Sequence, residues 1–328
     1  MKQSVVIPIA HPNNSNIYEQ AHSMIRPHIV RTPVTHDTIL SKSTRADIWY
    51  KCEQQQHTGS FKFRGAIHKL LTLTEAQKEH GVITSSTGNH GLAVAQAASL
   101  ANTSASIYLS HGVSPMKQQK LADSGATVII HGDNPMISEL YARTQSELLG
   151  KPYISPYNDT DIIKGQGSIG VELCEQLEHI DAIFIAVGGG GLISGIGDYI
   201  KSFSPTTEIV ACLPENAPTM KYCLDAGEII EIQEHPTLSE GTAGGIEPNA
   251  VTFPLCQRVI DRCVLVSEAD IRSAMKHVYE THNYIIEGAA GVALAGFLKV
   301  QECYKNKRVV IVLCGGNISK ETLEEVIQ

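Results

Sequence analysis

The stretch His57-Thr58-Gly59-Ser60-Phe61-Lys62-Phe63-Arg64-Gly65-Ala66 sets one lysine between two aromatic rings. An ammonium among aromatic rings loses hydration, its pKa falls, and the neutral amine becomes a nucleophile for a carbonyl carbon. Schiff-base chemistry is therefore the activity to test. Taken alone, Phe-Lys-Phe also reads as the start of a buried helix whose lysine reaches out to water. Three other stretches weigh against that plainer reading: Ser85-Ser86-Thr87-Gly88-Asn89-His90-Gly91, the tetraglycine Gly188-Gly189-Gly190-Gly191, and Cys314-Gly315-Gly316-Asn317.

Moving outward from the lysine, Asp47-Ile48-Trp49-Tyr50-Lys51-Cys52 alternates as a strand and delivers the chain to the loop, and Gly65 to Leu73 reads as helix. Residues 1 to 15, broken by Pro8 and Pro12, read as a polar arm, followed by an entry helix capped by Asn16 and ending before Pro27. From about residue 80 strands and helices alternate. Strands are expected at 82–86, 104–109 and 127–131, with helices at 90–100, 115–123 and 135–149. Pro152 and Pro156 mark a crossing into a second unit. There the spacing predicts a long helix from Asp159 to Glu178 interrupted by Gly165-Gln166-Gly167, and strands at 182–187, 208–213, 263–266 and 309–313. Helices are expected near 192–202, 268–282 and 288–304. This rhythm implies α/β architecture with open parallel sheets, and a ligand in the crevice beyond the carboxyl ends of the strands.

Composition narrows the function classes. A chain of 328 residues with 42% hydrophobic and 18% charged residues is globular and long enough for an enzyme. The net charge of −8 and the absence of a basic run argue against nucleic acid. Val5-Val6-Ile7, cut by Pro8, is too short for a signal peptide or a membrane span. Eight scattered cysteines without a C-x-x-C pair fit a reduced, cytoplasmic protein. No zinc-type spacing occurs among the 14 histidines.

Gly188 to Leu192 follows a strand and opens a helix, so backbone amides and the positive end of a helix dipole converge there, which suits a phosphate. Neither G-x-G-x-x-G nor a P-loop ending can be read, so the phosphate belongs to a smaller cofactor than a dinucleotide. A turn chosen only for tight packing remains the plainer alternative. The loop Ser86 to Gly91 offers hydroxyls and free amides suited to a carboxylate, although Ser86, Thr87 or Asn89 could equally cap the helix that follows.

Taken together, Ser60-Phe61-Lys62-Phe63-Arg64-Gly65-Ala66, the Ser86–Gly91 loop, the tetraglycine and Cys314-Gly315-Gly316-Asn317 resemble the threonine/serine dehydratase and serine racemase group of pyridoxal-phosphate enzymes, known as fold type II. The resemblance spans nearly the whole chain. It implies two open parallel-sheet αβα domains, similar to the tryptophan synthase β subunit, with the cofactor in the cleft between them. The large domain would hold residues 1–55 and 156–328, the small domain residues 56–155. It further implies that Lys62 binds the cofactor aldehyde and then takes the substrate's α-proton. Phe61 would pack on the pyridine ring and Asn89 bond its 3-oxygen, while Gly188, Gly189, Gly190, Gly191 and the Leu192 amide hold the phosphate. Ser86, Thr87, Asn89 and His90 would hold the substrate carboxylate. Cys314 falls where this group faces the pyridine nitrogen. A neutral thiol there makes the ring a weaker electron sink than an aspartate would, which favours expelling a β-substituent. The implied reaction is β-elimination of water from a 3-hydroxy amino acid to a 2-oxo acid and ammonia, by a homodimer.

The chain departs from that group in places. Where metal-activated relatives carry two carboxylates it has Leu213 and Thr219, so no metal site is expected. Thr87 stands where racemases use a serine, which leaves racemisation open as an alternative activity. With so little chain after Asn317, no regulatory domain is expected. Glu240-Gly241-Thr242-Ala243-Gly244-Gly245-Ile246-Glu247-Pro248 is similar to a loop of dehydratases acting on hydroxyectoine-derived compounds or phenylserine, which hints at a specialised substrate. Glu287 falls near the ring by the same resemblance, and also reads as a helix-start carboxylate.

Overall fold

The computed structural model describes residues 15–328, so the polar arm expected at the start of the chain lies, but for Ser15, outside the described residues. The entry helix, Ser15–Ile25, stops before Pro27 as expected.

Among the described residues, nine strands form two sheets. In chain order they are β1 (Val34–His36), β2 (Asp47–Cys52), β3 (Val82–Ser85), β4 (Ala105–Leu109), β5 (Thr127–Ile130), β6 (Ala182–Ala186), β7 (Glu208–Pro214), β8 (Arg262–Val266) and β9 (Arg308–Leu313). The larger sheet runs β1-β2-β9-β6-β7-β8 and the smaller β3-β4-β5. All pairings are parallel except β1 with β2. The antiparallel β1, three residues long, carries too little pattern to be read from sequence. By contrast β6, Ala-Ile-Phe-Ile-Ala, is buried at every position, as its unbroken apolar run predicts for a strand covered on both faces.

The expected interruption at Gly165-Gln166-Gly167 does not occur. One helix, Thr160–Gln176, runs straight through. Its glycines serve packing instead: a Cβ on Gly165 would lie 2.6 Å from the Arg64 carbonyl and from the Gly65 Cα of the helix Lys62–Thr72. Two helices thereby approach backbone to backbone. The helix expected at 288–304 ends at Val300 and tightens into a 3-10 turn over Gln301–Tyr304.

The helix Lys62–Thr72 lies against the helices Thr160–Gln176 and Asn89–Leu100. Phe63, Ile67 and Leu70 from it join Val82, Val94 and Ile107 in the core of the smaller sheet's layer, while the larger sheet builds its own core around Phe184, Val310 and Phe297. Arg64 is fully buried and is paired with Glu53 at 2.7 Å and Glu172 at 2.8 Å. No helix among the described residues is long and apolar enough to cross a membrane.

Candidate active site

β2, β9 and β6 are neighbours in the larger sheet, and each ends in one of the singled-out loops: the lysine loop, Cys314-Gly315-Gly316-Asn317 and the tetraglycine. Parallel pairing puts these three exits at one edge. The first two are zipped together, Phe61 N donating to the Cys314 carbonyl at 3.0 Å and Gly316 N to the Gly59 carbonyl at 2.9 Å. Gly59, at φ 73°, takes the left-handed turn this requires.

Lys62 opens its helix with its side chain bent inward. Its Nζ donates to the Pro156 carbonyl at 2.9 Å and lies 5.1 Å from the Phe61 ring centroid. Burial lowers its pKa to about 8 against the weaker opposing pull of Cys314 and Glu287. Its hydrogen-bond partner is a neutral carbonyl, which leaves the amine free to react.

The next residue after Pro156, Tyr157, lies on the glycine turn, its ring filling the space a Cβ on Gly189 would need. Gly190, at φ 85°, caps the helix Gly191–Phe203 in the left-handed region. Within the described residues, the amides of Gly188, Gly189 and Gly190 donate to no protein acceptor. Those of Gly191 and Leu192 open a helix, where no intrahelical partner exists. Five donors thus cluster at a helix start without protein acceptors. On the far side Thr242 closes in, its backbone 2.8 Å from where a Gly188 Cβ would stand.

Opposite, the smaller sheet contributes the loop after β3. Asn89 donates from Nδ2 to both carboxylate oxygens of Glu287 at 2.9 Å, and its Oδ1 accepts from Asn317 Nδ2 at 2.7 Å. Glu287 is the N-cap residue of the helix Gly288–Val300, so it is a helix-start carboxylate, but its side chain makes no capping bond and is turned to Asn89 instead. Burial, only partly offset by the Asn89 bond and the charge of Lys62, raises its carboxyl to about 7.

Ser86 and Thr87 are half-buried on the same loop. His90 is different. It is buried, its Nε2 is 2.8 Å from the Ile154 carbonyl, and burial together with the Lys62 charge lowers its pKa to about 3. A neutral imidazole tied to a carbonyl is not available to a carboxylate, so only the His90 backbone amide remains from that expectation. Cys314 is buried, and burial followed by the Glu287 charge keeps its thiol protonated well above the usual range. At the positions expected to lack metal ligands, Leu213 is packed in the sheet and the Thr219 hydroxyl donates to Glu234.

The sequence profile of pyridoxal-phosphate dependent enzymes matches residues 25–315. The chain belongs to that family. It is 35% identical over 311 residues to L-threonine ammonia-lyase of Thermotoga maritima, covering 94% of this chain and 77% of the relative. To the L-threonine dehydratase catabolic TdcB of Escherichia coli it is 32% identical, with 94% of each chain covered. Among solved structures, processed threonine deaminase isoform 2 from Solanum lycopersicum superimposes with a TM-score of 0.91 at 32% identity, covering 96% of this chain and 93% of that one. Serine racemase from Dictyostelium discoideum does so with a TM-score of 0.86 at 32% identity, covering 93% and 98%.

The residues present fit pyridoxal phosphate: a buried amine of lowered pKa for its aldehyde, and a turn of unclaimed amides for its phosphate. Two contributors were not legible as site residues. Tyr157 is marked in the sequence only by the Pro156 before it, and Asn317 only as the end of a glycine motif; both act through contacts distant along the chain.

Proposed function

We propose that this protein is a pyridoxal-phosphate-dependent ammonia-lyase that eliminates water from a 3-hydroxy amino acid of the serine or threonine type, leaving a 2-oxo acid and ammonia. The observation that carries the reading is Lys62, a buried amine held at about 8 and bonded to a neutral carbonyl. The names of the relatives, threonine ammonia-lyase and threonine dehydratase, support the choice of reaction. When bound, the cofactor supplies an aldehyde that condenses with amines and a conjugated ring that draws electrons from the substrate's α-carbon.

The chain's own residues do the rest. Lys62 would hold the cofactor through its amine, and that amine, in its neutral form, would take the α-proton of the substrate. The amides of Gly188 to Leu192 bind the phosphate, and Phe61 packs on the ring. Asn89, aligned by Glu287 and Asn317, is the donor for the ring oxygen. Cys314, a protonated thiol, would face the ring nitrogen and supply no negative charge to it, which would favour loss of a β-substituent. Ser86, Thr87, Asn89 and the His90 amide bind the substrate carboxylate. A hydroxyl at Thr87 can also return a proton, and the similarity to serine racemase supports racemisation as a second activity.

The two sheets are read as domains, large over 1–55 and 156–328 and small over 56–155, in a cytoplasmic homodimer. Eight free cysteines support the reducing compartment. The test is ammonia release by purified protein from a panel of 3-hydroxy amino acids, phenylserine included, with chiral analysis of recovered substrate. Lys62→Ala should abolish release, and no 2-oxo acid from any member of the panel would overturn the proposal.

A further inference from the structure

A chain of contacts runs from the glycine turn to the smaller sheet's layer, and the proposed chemistry leaves it unused. Tyr157, pressed on Gly189, accepts at its hydroxyl from Glu247 N at 2.8 Å. The Glu247 carboxylate reaches two ways. Its Oε1 lies 2.8 Å from Arg143 Nη2, and its Oε2 accepts from Asn158 Nδ2 at 2.9 Å. Asn158 in turn accepts at Oδ1 from Val251 N at 2.9 Å. Arg143 belongs to the helix Pro135–Leu149, which packs on β3 and β4, and its guanidinium lies 4.3 Å over the Tyr153 ring. It also donates to Glu139 at 2.7 Å. Glu247 lies in the segment between β7 and β8 that places Thr242 on Gly188, so this one segment meets the turn twice, at Gly188 directly and at Gly189 through Tyr157.

We infer that Glu247 is a positioning residue for the glycine turn: by pairing with Arg143 it ties the smaller sheet's layer to the segment that presses Tyr157 onto the turn. The inference rests on the reading of that turn as the phosphate holder. When the two layers move apart the ion pair breaks, the Glu247 amide withdraws from the Tyr157 hydroxyl, and the ring loses its fixed seat on Gly189. The phosphate grip then loosens. Because the side chains of Arg143 and Glu247 are 32% and 24% exposed, salt reaches the pair and screens it. Glu139 keeps a partner for Arg143 when Glu247 is neutralised, so the helix retains an ion pair.

The experiment follows release of pyridoxal phosphate from loaded protein by its absorbance, at low and high salt, for wild type, Glu247→Gln, Arg143→Ala and the double variant. Each single variant should release about 3-fold to 10-fold faster than wild type, with the double no faster than the singles, as expected for two residues acting through one contact. Salt should speed release from wild type and leave the variants unchanged. The exchanged pair, Arg143→Glu with Glu247→Arg, should recover part of the slow release and of the salt response, which a merely structural role would not restore. Additive singles, or wild-type release indifferent to salt, would overturn the clasp. Pyridoxal lacking the phosphate separates the two readings. Wild type that releases pyridoxal and pyridoxal phosphate alike would sink the phosphate turn itself; a phosphate-dependent hold left intact in Glu247→Gln would sink only the clasp.

Discussion

At Lys62 burial holds the amine at about 8, so about one molecule in ten carries it neutral at pH 7, against roughly one in three thousand at the ordinary lysine value. Uptake of pyridoxal phosphate by cofactor-free protein should therefore accelerate as pH rises and level off just above 8, followed by stopped-flow absorbance. Acceleration continuing to pH 10 would remove burial as the cause. Glu287 carries the opposite consequence. Its folded value of about 7 exceeds the ordinary carboxyl value of 4.5, so the folded state holds the proton more tightly than the unfolded one. The stability this contributes is complete below about 4.5 and is lost as pH rises through about 7, an effect of roughly 3 kcal/mol. Glu287→Gln should flatten the fall in stability of the cofactor-free protein between pH 5 and 8, measured by urea unfolding. The proposed role of the lysine could be put forward from sequence because Phe61, whose ring lies beside its amine, adjoins it. Glu287 gave little local sign, since the burial that raises its pKa and the Asn89 and Lys62 contacts that partly offset it all come from distant segments.

Among the elements, the helix Thr160–Gln176 departs from its expected form in a way that bears on the site. Gly-Gln-Gly reads as a break because glycine weakens helices, yet here the missing side chains let the helix meet Arg64 and Gly65 at backbone distance. Gly165→Ala is an overpacking change against backbone rather than a movable side chain. It should cost about 1–3 kcal/mol in thermal or urea unfolding. Since the displaced partner is the helix that begins at Lys62, cofactor affinity should fall with it. Strands β6, β7 and β9 were legible because burial on both faces demands unbroken apolar runs. The helices Thr219–Ala226 and Thr252–Val259 were not, being short and dependent on neighbours for their stability.

For the whole molecule, the layers are joined beneath the site by buried charge. Glu172 stands between Lys51 of β2 and Arg64 of the lysine helix, and although burial works to raise its pKa, the Arg64 charge and hydrogen bonds hold it below the usual carboxylate range. Glu172→Gln would leave buried Lys51 without a paired carboxylate and Arg64 with Glu53 alone, and should cost about 3–5 kcal/mol, seen as a lowered urea midpoint, while activity per folded molecule changes far less. The alternation of strands and helices announced two parallel sheets, but the order of strands could not be foreseen, because nothing local says that β9 slots between β2 and β6. That order has a consequence for biosynthesis. As the chain leaves the ribosome, β1 and β2 appear early, yet their bed in the sheet is made by β9, whose pairing joins Asp47 to Arg308. The three strands of the smaller sheet, all close in sequence, can assemble meanwhile. The nascent polypeptide can pair its first two strands with each other but must carry the other edge of β2 unsatisfied until residue 313 is translated, and vitamin B6 can be captured only after release of nearly the entire product.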